Sequence, residues 1–528
     1  MLAEITWYIQ VIFFLFFLLF WPGYVLQRVF IDSDDALEVL VFSVAFSLAF
    51  LAILCLILDV IWNVSLLSVS CSILLLSLVL FFKRPHTLMY PEKWEILIII
   101  LILAYGFLLR SYTLFDVLPE GQDAWRHLSF IDYIHQTHTL PQLLPWAEPE
   151  EPVTIRLYPP GSHCIAALLF QPLPSLSFNL AKVFFIALGT GSALSSYIVF
   201  KNLLERKVAL LSTLFVAVFI PHMGMTTEVT AQAVSIFMYP LVLYLFYRGK
   251  LISSGILLGG VMIIHHFTTL TILLPLFSFA VLCACLKNWK YFIPFFGVSG
   301  IAAVLSAPWW LQRPFSVVLN RAEIITPTPI EIFFNSYIRT ISPIFVVLSM
   351  AGFYILLKER KKHYLFLIVW VVTLFVASQP VGPIKWANHR FLAFLIFPCS
   401  VMASSGLLKL KKRLKKIHFV FLILIVFSSY PPHFWPTTGE ENLLACEWVQ
   451  DSTLDCVFHV YGAYYTFIYP LSHRKLHRIS DFDDPFSYEG EKTTYFYDDA
   501  SWIPHDVDRF GQFDRLYSCF EVTVYRIE

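Results

Sequence analysis

The side chains best able to do chemistry crowd one polar stretch. From Leu118 the chain reads LPEGQDAWRHLSFIDYIHQTHTLP, then an acidic, proline-rich passage, then RLYPPGSH ending at His163. A carboxylate that takes a proton from a hydroxyl is a general base, and a nearby imidazole can orient it. Asp123 and His127 stand one helical turn apart, the spacing that puts two side chains on one face. At about 100° per residue, Asp123, His127, Phe130, Ile131 and Ile134 share an apolar face. Arg126, Ser129, Asp132, Tyr133 and Gln136 share the opposite one. An acid and a histidine on an apolar face are costly unless paired or used. Asp123 also suits a helix N-cap, and His127 suits an ordinary hydrogen-bonded histidine. Glu120 supplies a second carboxylate within reach.

Other polar groups lie at the mouths of apolar runs. Glu228 follows Thr226-Thr227, where it could equally be a solvated helix-start glutamate. His265 and His266 come near the end of a span. Arg313, Arg321 and Arg339 share a loop with Glu323 and Glu331, and Lys385, His389 and Arg390 cap a later span. An arginine there can snorkel to headgroups or grip a phosphate with its two-pronged guanidinium.

The elements that must position these groups are membrane helices. Of 528 residues, 58% are hydrophobic and 14% charged, and the mean hydropathy is +0.70. Apolar runs near the length needed to cross a ~30 Å hydrocarbon core recur along the chain. They lie near 5–22, 37–59, 64–82, 95–110, 177–200, 207–220, 231–247, 252–267, 269–286, 291–308, 341–357, 364–380, 389–408 and 417–431. The expectation is a polytopic α-helical membrane protein with about fourteen transmembrane helices. The apolar segment after Gly161 is short and bounded by Pro172 and Pro174, and reads as a helix lying on the membrane surface. The amino-terminal run lacks a basic leader and a small-residue cleavage site, so it reads as a retained span.

Basic residues orient the bundle. Lys83-Arg84, Arg206-Lys207, Arg248 with Lys250, Lys287 with Lys290, Lys358 to Lys362 and Lys409 to Lys416 fall in alternate loops. The positive-inside rule makes those loops cytoplasmic. The loops 111–176, 221–230, 309–340 and 381–388, the amino terminus and everything after Tyr430 then face out.

From about Pro436 the composition changes. Glu440 to Asp451 reads as an amphipathic helix, Cys456 to Val460 and Thr493 to Tyr497 as strands, and Leu516 to Ile527 as a strand pair or one long strand. This predicts a small α/β domain on the outer face. Cys446, Cys456 and Cys519 lie in it; Cys456–Cys519 is the preferred disulfide, with all three free as the alternative. Cys55, Cys71, Cys164, Cys283, Cys285 and Cys399 lie in or beside apolar runs, as small core residues do. The organisation is thus 1–94 as amino-terminal helices, 95–436 as the membrane core with loop 111–176, and 437–528 as the outer domain. The paired acids Asp483-Asp484 and Asp498-Asp499 read as turn residues, not metal ligands. The formal net charge is zero, which by itself argues neither for nor against nucleic acid; no phosphate-binding glycine motif is present, so no nucleotide site is expected, and no nucleic-acid partner is expected.

The loop with Asp123 and His127, the motif Tyr158-Pro159-Pro160-Gly161-Ser162-His163, and Asn388-His389-Arg390-Phe391 opening a late span resemble the GT-C glycosyltransferases. The likeness is to the protein-mannosyltransferase-like, polyprenyl-phosphate-sugar-dependent branch, and it covers most of 95–528 in layout. It implies a GT-C-like fold and transfer of a sugar from a lipid-phosphate carrier to an acceptor hydroxyl on the outer side of the membrane. The acceptor could be a glycan, a lipid or a protein. It also implies that the essential acid of the first outer loop is Asp123; Tyr158, Glu228, His265, His266, Arg313, Lys385, His389 and Arg390 are the substrate-binding candidates that the polar groups themselves offer. The chain departs from the family in three extra amino-terminal spans, in lacking an adjacent Asp-Glu pair, and in offering no clear metal-binding DxD. The expectation is therefore an inverting, metal-independent transferase with no resident cofactor, though the sequence leaves room for a divalent metal. Two rivals are a polysaccharide polymerase or O-antigen-ligase-type protein, which the arginines of 309–340 would suit, and a lipid-linked-sugar flippase or other transporter. The flippase requires charges and broken helices at mid-membrane, and the span centres are nearly free of charge.

Overall fold

The computed structural model describes residues 13–82, 87–114, 122–141, 158–172, 178–311, 343–359, 361–379, 390–414, 457–461, 476–479, 494–499, 514–519 and 522–527. The helices are α1 (Trp21–Phe30), α2 (Ala36–Ile61), α3 (Leu66–Ser77), α4 (Lys93–Arg110), α5 (Gln122–Thr137), α6 (Gly161–Phe170), α7 (Phe178–Leu203) and α8 (Arg206–Val218). They continue as α9 (Ile220–Thr227), α10 (Ala231–Tyr247), α11 (Leu251–Ile264), α12 (His266–Cys285), α13 (Phe292–Trp310), α14 (Pro343–Glu359), α15 (Lys362–Ala377) and α16 (Phe391–Leu414). Among the described residues seven helices are long and apolar enough to cross a membrane, and eight if the bent pair α8–α9 counts as one. A helix rises about 1.5 Å per residue, so these lengths match the hydrocarbon core. The chain is a multi-pass membrane protein. Of the fourteen spans expected, that at 417–431 lies outside the described residues, and several others appear as shorter apolar helices.

Contacts between helix termini define two ends of the bundle. At one end ionic groups pair, Lys201 with Asp35 and Arg206 with Glu92 at 2.7 Å and with Glu95 at 3.3 Å, and the Asn202 amide donates to Glu38 at 2.6 Å. Tyr197 also donates to Glu95. Asp35 caps α2 by accepting from the N–H groups of Leu37 and Glu38, a contribution of about 1 kcal/mol.

The opposite end carries α5 and α6, and α2 and α3 hold them there. Val64 N–H donates to His138 O at 2.8 Å, and Leu140 N–H donates to Asp59 Oδ1 at 2.7 Å. Gln171, just past α6, accepts from Leu66 N–H, donates to Val64 O at 2.9 Å and lies 3.1 Å from His138 Nδ1. One amide thus joins three segments. Buried backbone groups must find partners, and here they find them across the α2–α3 turn.

A second polar knot shapes the bundle wall. The α8–α9 pair bends by 58°, and Pro221 is at the start of α9. Proline has no N–H, so the carbonyl four residues earlier loses its helical donor. That carbonyl is Ala217 O, and fully buried Arg110 donates to it from Nη1 at 2.8 Å. The same guanidinium donates to Gly106 O and Thr226 Oγ1, each at 2.8 Å, and meets His222 Nδ1 at 2.9 Å. Arginine only donates, so His222 Nδ1 accepts and its Nε2–H reaches Ser192 Oγ at 3.0 Å, which donates on to Gly189 O at 2.6 Å. Any side chain at Gly189 would strike Thr226, 2.4 Å from an added Cβ.

The carboxy-terminal strands are β1 (Val457–Tyr461), β2 (Leu476–Ile479), β3 (Thr494–Asp499), β4 (Asp514–Cys519) and β5 (Val522–Ile527), in the order β2-β1-β3-β5-β4. β1 pairs parallel with β2 and β3, whereas β5 runs antiparallel to both β3 and β4. Leu516 to Ile527 is therefore a hairpin with a register shift between Arg515 and Tyr517. The expected helix Glu440–Asp451 and the cysteines Cys446 and Cys456 lie outside the described residues.

Candidate functional site

The site grows from α5 and α6. Pro159 and Pro160 are buried and fix the approach to α6. At Gly161 an added Cβ would come within 2.9 Å of both Ala52 Cβ and Ile263 O, so this glycine lets α6 close onto α2 and α11. Two residues on, His163 is delivered against α5, where its Nε2 lies 2.7 Å from His127 Nδ1. Both rings are buried. The His127 and His163 rings stack at 5.0 Å, and Phe130 lies 5.0 Å from His163.

Helix α5 is more enclosed than its amphipathic pattern suggests. Ser129 and Asp132, on the face expected to meet water, are buried along with Trp125, Leu128 and Ile131. Ser129 Oγ donates to Trp125 O at 2.9 Å, and Asp132 accepts from Gln136 at 3.0 Å. Period alone separates apolar from polar; it does not reveal that neighbours cover both.

Half-buried Tyr158 stands at the centre of the cluster. Its ring is 4.8 Å from His127, 5.8 Å from His163, 6.3 Å from His265 and 5.9 Å from His266. His265 and His266 occupy the junction of α11 and α12. His265 is extended there, at φ −156° and ψ 112°, and its side chain caps α12. Arg390, the residue before α16, lies close enough for its charge to act on His127, His265 and His266. Burial, with the charges of Arg126 and Arg390 adding to it, holds the His127 pKa down to about 3. Burial beside His127 likewise pushes His163 well below the usual imidazole range. Both rings are therefore neutral at physiological pH, each with one donor and one acceptor nitrogen.

Of the candidates chosen from sequence, the structure brings together His127, Tyr158, His265, His266 and Arg390. Asp123 is the second residue of α5, one turn before His127, and its side chain lies outside the described residues. Glu120, Arg313, Lys385 and His389 also lie outside them. Glu228 is held by different elements; it ends α9, half-buried, beside the Arg110 knot. Among the described residues no three His, Cys, Asp or Glu side chains are gathered as metal ligands. His163 was not among the candidates, although it is the only titratable nitrogen base in the apolar helix GSHCIAALLF. The cluster can donate hydrogen bonds from neutral imidazoles beside one fixed positive charge, a combination that suits an anionic ligand.

No protein-family model matches the chain, and no curated protein matches it. Solved structures do. ArnT from Cupriavidus metallidurans bound to undecaprenyl phosphate aligns over 82% of this chain and 98% of its own, with a TM-score of 0.59 at 10% identity. Its apo state gives a TM-score of 0.61 at 11% identity. The Archaeoglobus fulgidus oligosaccharyltransferase, in the apo form, aligns over 75% of this chain and 65% of its own, with a TM-score of 0.51 at 14% identity. This chain shares its fold with ArnT and with the archaeal oligosaccharyltransferase.

Proposed function

We propose that this protein transfers a sugar from a polyprenyl-phosphate carrier to an acceptor hydroxyl on the outer side of the membrane. The observation that carries the reading is the meeting of neutral His127, Tyr158, His265 and His266 with Arg390, in a fold shared with a protein solved bound to undecaprenyl phosphate. Asp123 takes the hydroxyl proton as the acceptor oxygen attacks the anomeric carbon. The bond from that carbon to the phosphate oxygen breaks with inversion, and the phosphate leaves with the electron pair. Arg390 and Arg313 offset its growing negative charge. His127 orients Asp123 or the acceptor, Glu120 lies in the same loop, and no metal takes part. Glu228, Lys385 and His389 contribute to substrate binding, and the α/β domain lies on the same outer side.

Asp123→Asn is the decisive variant. Asparagine keeps the shape and polarity of aspartate in the first turn of α5 but cannot accept the proton. The protein should insert and melt normally, with transfer from a polyprenyl-phosphate-linked sugar down by at least about 100-fold. Near-normal turnover would remove Asp123 from the reaction.

A further inference from the structure

His265 does a job that histidine rarely does. Its Nδ1 accepts from the backbone N–H of Thr268 at 3.2 Å and lies 2.8 Å from Thr268 Oγ1, so the side chain is the N-cap of α12. Thr268 Oγ1 is in turn 2.7 Å from Ser235 Oγ on α10, and all three residues are buried. Serine, threonine, asparagine and aspartate are the favoured caps. Any of them could satisfy the orphan N–H with a smaller side chain. An imidazole differs in having a second nitrogen.

The cap fixes what that nitrogen is. A backbone N–H can only donate, so Nδ1 must be the unprotonated acceptor. The ring is then neutral, and its one proton sits on Nε2. Nε2 is at the edge of the ring away from Thr268 and has no hydrogen-bond partner among the described residues. Around the ring stand Tyr158 at 6.3 Å, His266 at 5.5 Å and the charge of Arg390. A donor locked in direction, without a partner among the described residues and within the field of the Arg390 charge, matches an anionic oxygen.

We infer that His265 is a fixed-tautomer hydrogen-bond donor to a phosphate oxygen of the lipid-linked substrate, with Thr268 as the positioning residue that holds the ring in that state. The inference rests on reading the cluster as a polyprenyl-phosphate site. Helix capping and ligand recognition are thereby joined in one side chain, which explains a histidine where a better cap would serve the fold alone.

The test measures binding of undecaprenyl phosphate, and of undecaprenol as the phosphate-free control, to the detergent-solubilised full chain. His265→Asn keeps a cap and removes the Nε2 donor. It should melt like the wild type and bind undecaprenyl phosphate about 10- to 100-fold more weakly, the worth of one hydrogen bond to a charged group, with undecaprenol binding unchanged. Thr268→Val should weaken phosphate binding less, by about threefold to tenfold, and Thr268→Ser should restore it. If His265→Asn does not fold, His265→Ser, a second favoured cap without the Nε2 donor, decides, and wild-type affinity for the phosphate in that variant overturns the inference. Equal affinity in wild type and a folded His265→Asn also overturns it while leaving the transferase reading intact. A wild-type protein that binds undecaprenol as tightly as undecaprenyl phosphate sinks both.

Discussion

A neutral imidazole offers one proton and one lone pair, and the neighbours of a buried ring decide which nitrogen has which. His127 shows the energetic side of this. An unfolded histidine titrates near 6.5, whereas burial first, then Arg126 and Arg390, put the folded ring at about 3. Between those values the unfolded chain binds more protons than the folded one. Stability contributed by the neutral ring is therefore complete above pH 6.5 and is lost as the pH falls toward 3. We expect the melting temperature in detergent to drop on acidification through this window, and His127→Phe to shrink the drop. Parallel curves for wild type and His127→Phe would mean that the ring is protonated in the folded state. His163 is shifted in the same direction for the same first reason, so the variant should reduce the slope without abolishing it.

At the scale of elements, the bend between α8 and α9 has an identifiable cause and an identifiable remedy. Pro221 denies Ala217 O its helical donor, and Arg110 of α4 supplies another from across the bundle. A buried carbonyl left without a partner costs about 1–3 kcal/mol. Arg110→Met removes all four hydrogen bonds of the guanidinium, so it should lower stability strongly. Pro221→Ala returns the missing N–H, so Arg110→Met should cost less in that background than in the wild type. Additive losses in the double-mutant cycle would show that arginine and proline act independently. The same knot fixes where α9 ends, and therefore where Glu228 stands.

For the whole molecule, contacts between helix termini place Asp35, Lys201 and Arg206 at one end and the histidine cluster at the other. Basic loops stay on the cytoplasmic side of membranes. The site and the carboxy-terminal strands should accordingly face out. A reporter active only in the cytoplasm, fused after Ile527, should be silent, and a protease added to sealed, right-side-out cells should reach the carboxy-terminal segment. Reporter activity at that fusion would reverse the orientation and move the proposed chemistry to the cytoplasm.

The sequence by itself determined that the chain is a membrane helix bundle, because burial of an unpaired backbone in lipid leaves helices as the economical solution and apolar runs of that length have no soluble use. It also marked Tyr158, His127, the His265-His266 pair and Arg390, since polar groups at the mouths of apolar spans are costly and conspicuous. What it could not state is which of them meet. His163 became part of the site only because Gly161 lets α6 press against α2 and α11, a contact between residues far apart in the chain. The buried polar face of α5 and the arginine that substitutes for a proline's missing N–H are likewise long-range matters. Local pattern fixes which side chains want partners, while packing across the bundle decides who the partners are, and the tautomer of His265 follows from that decision alone.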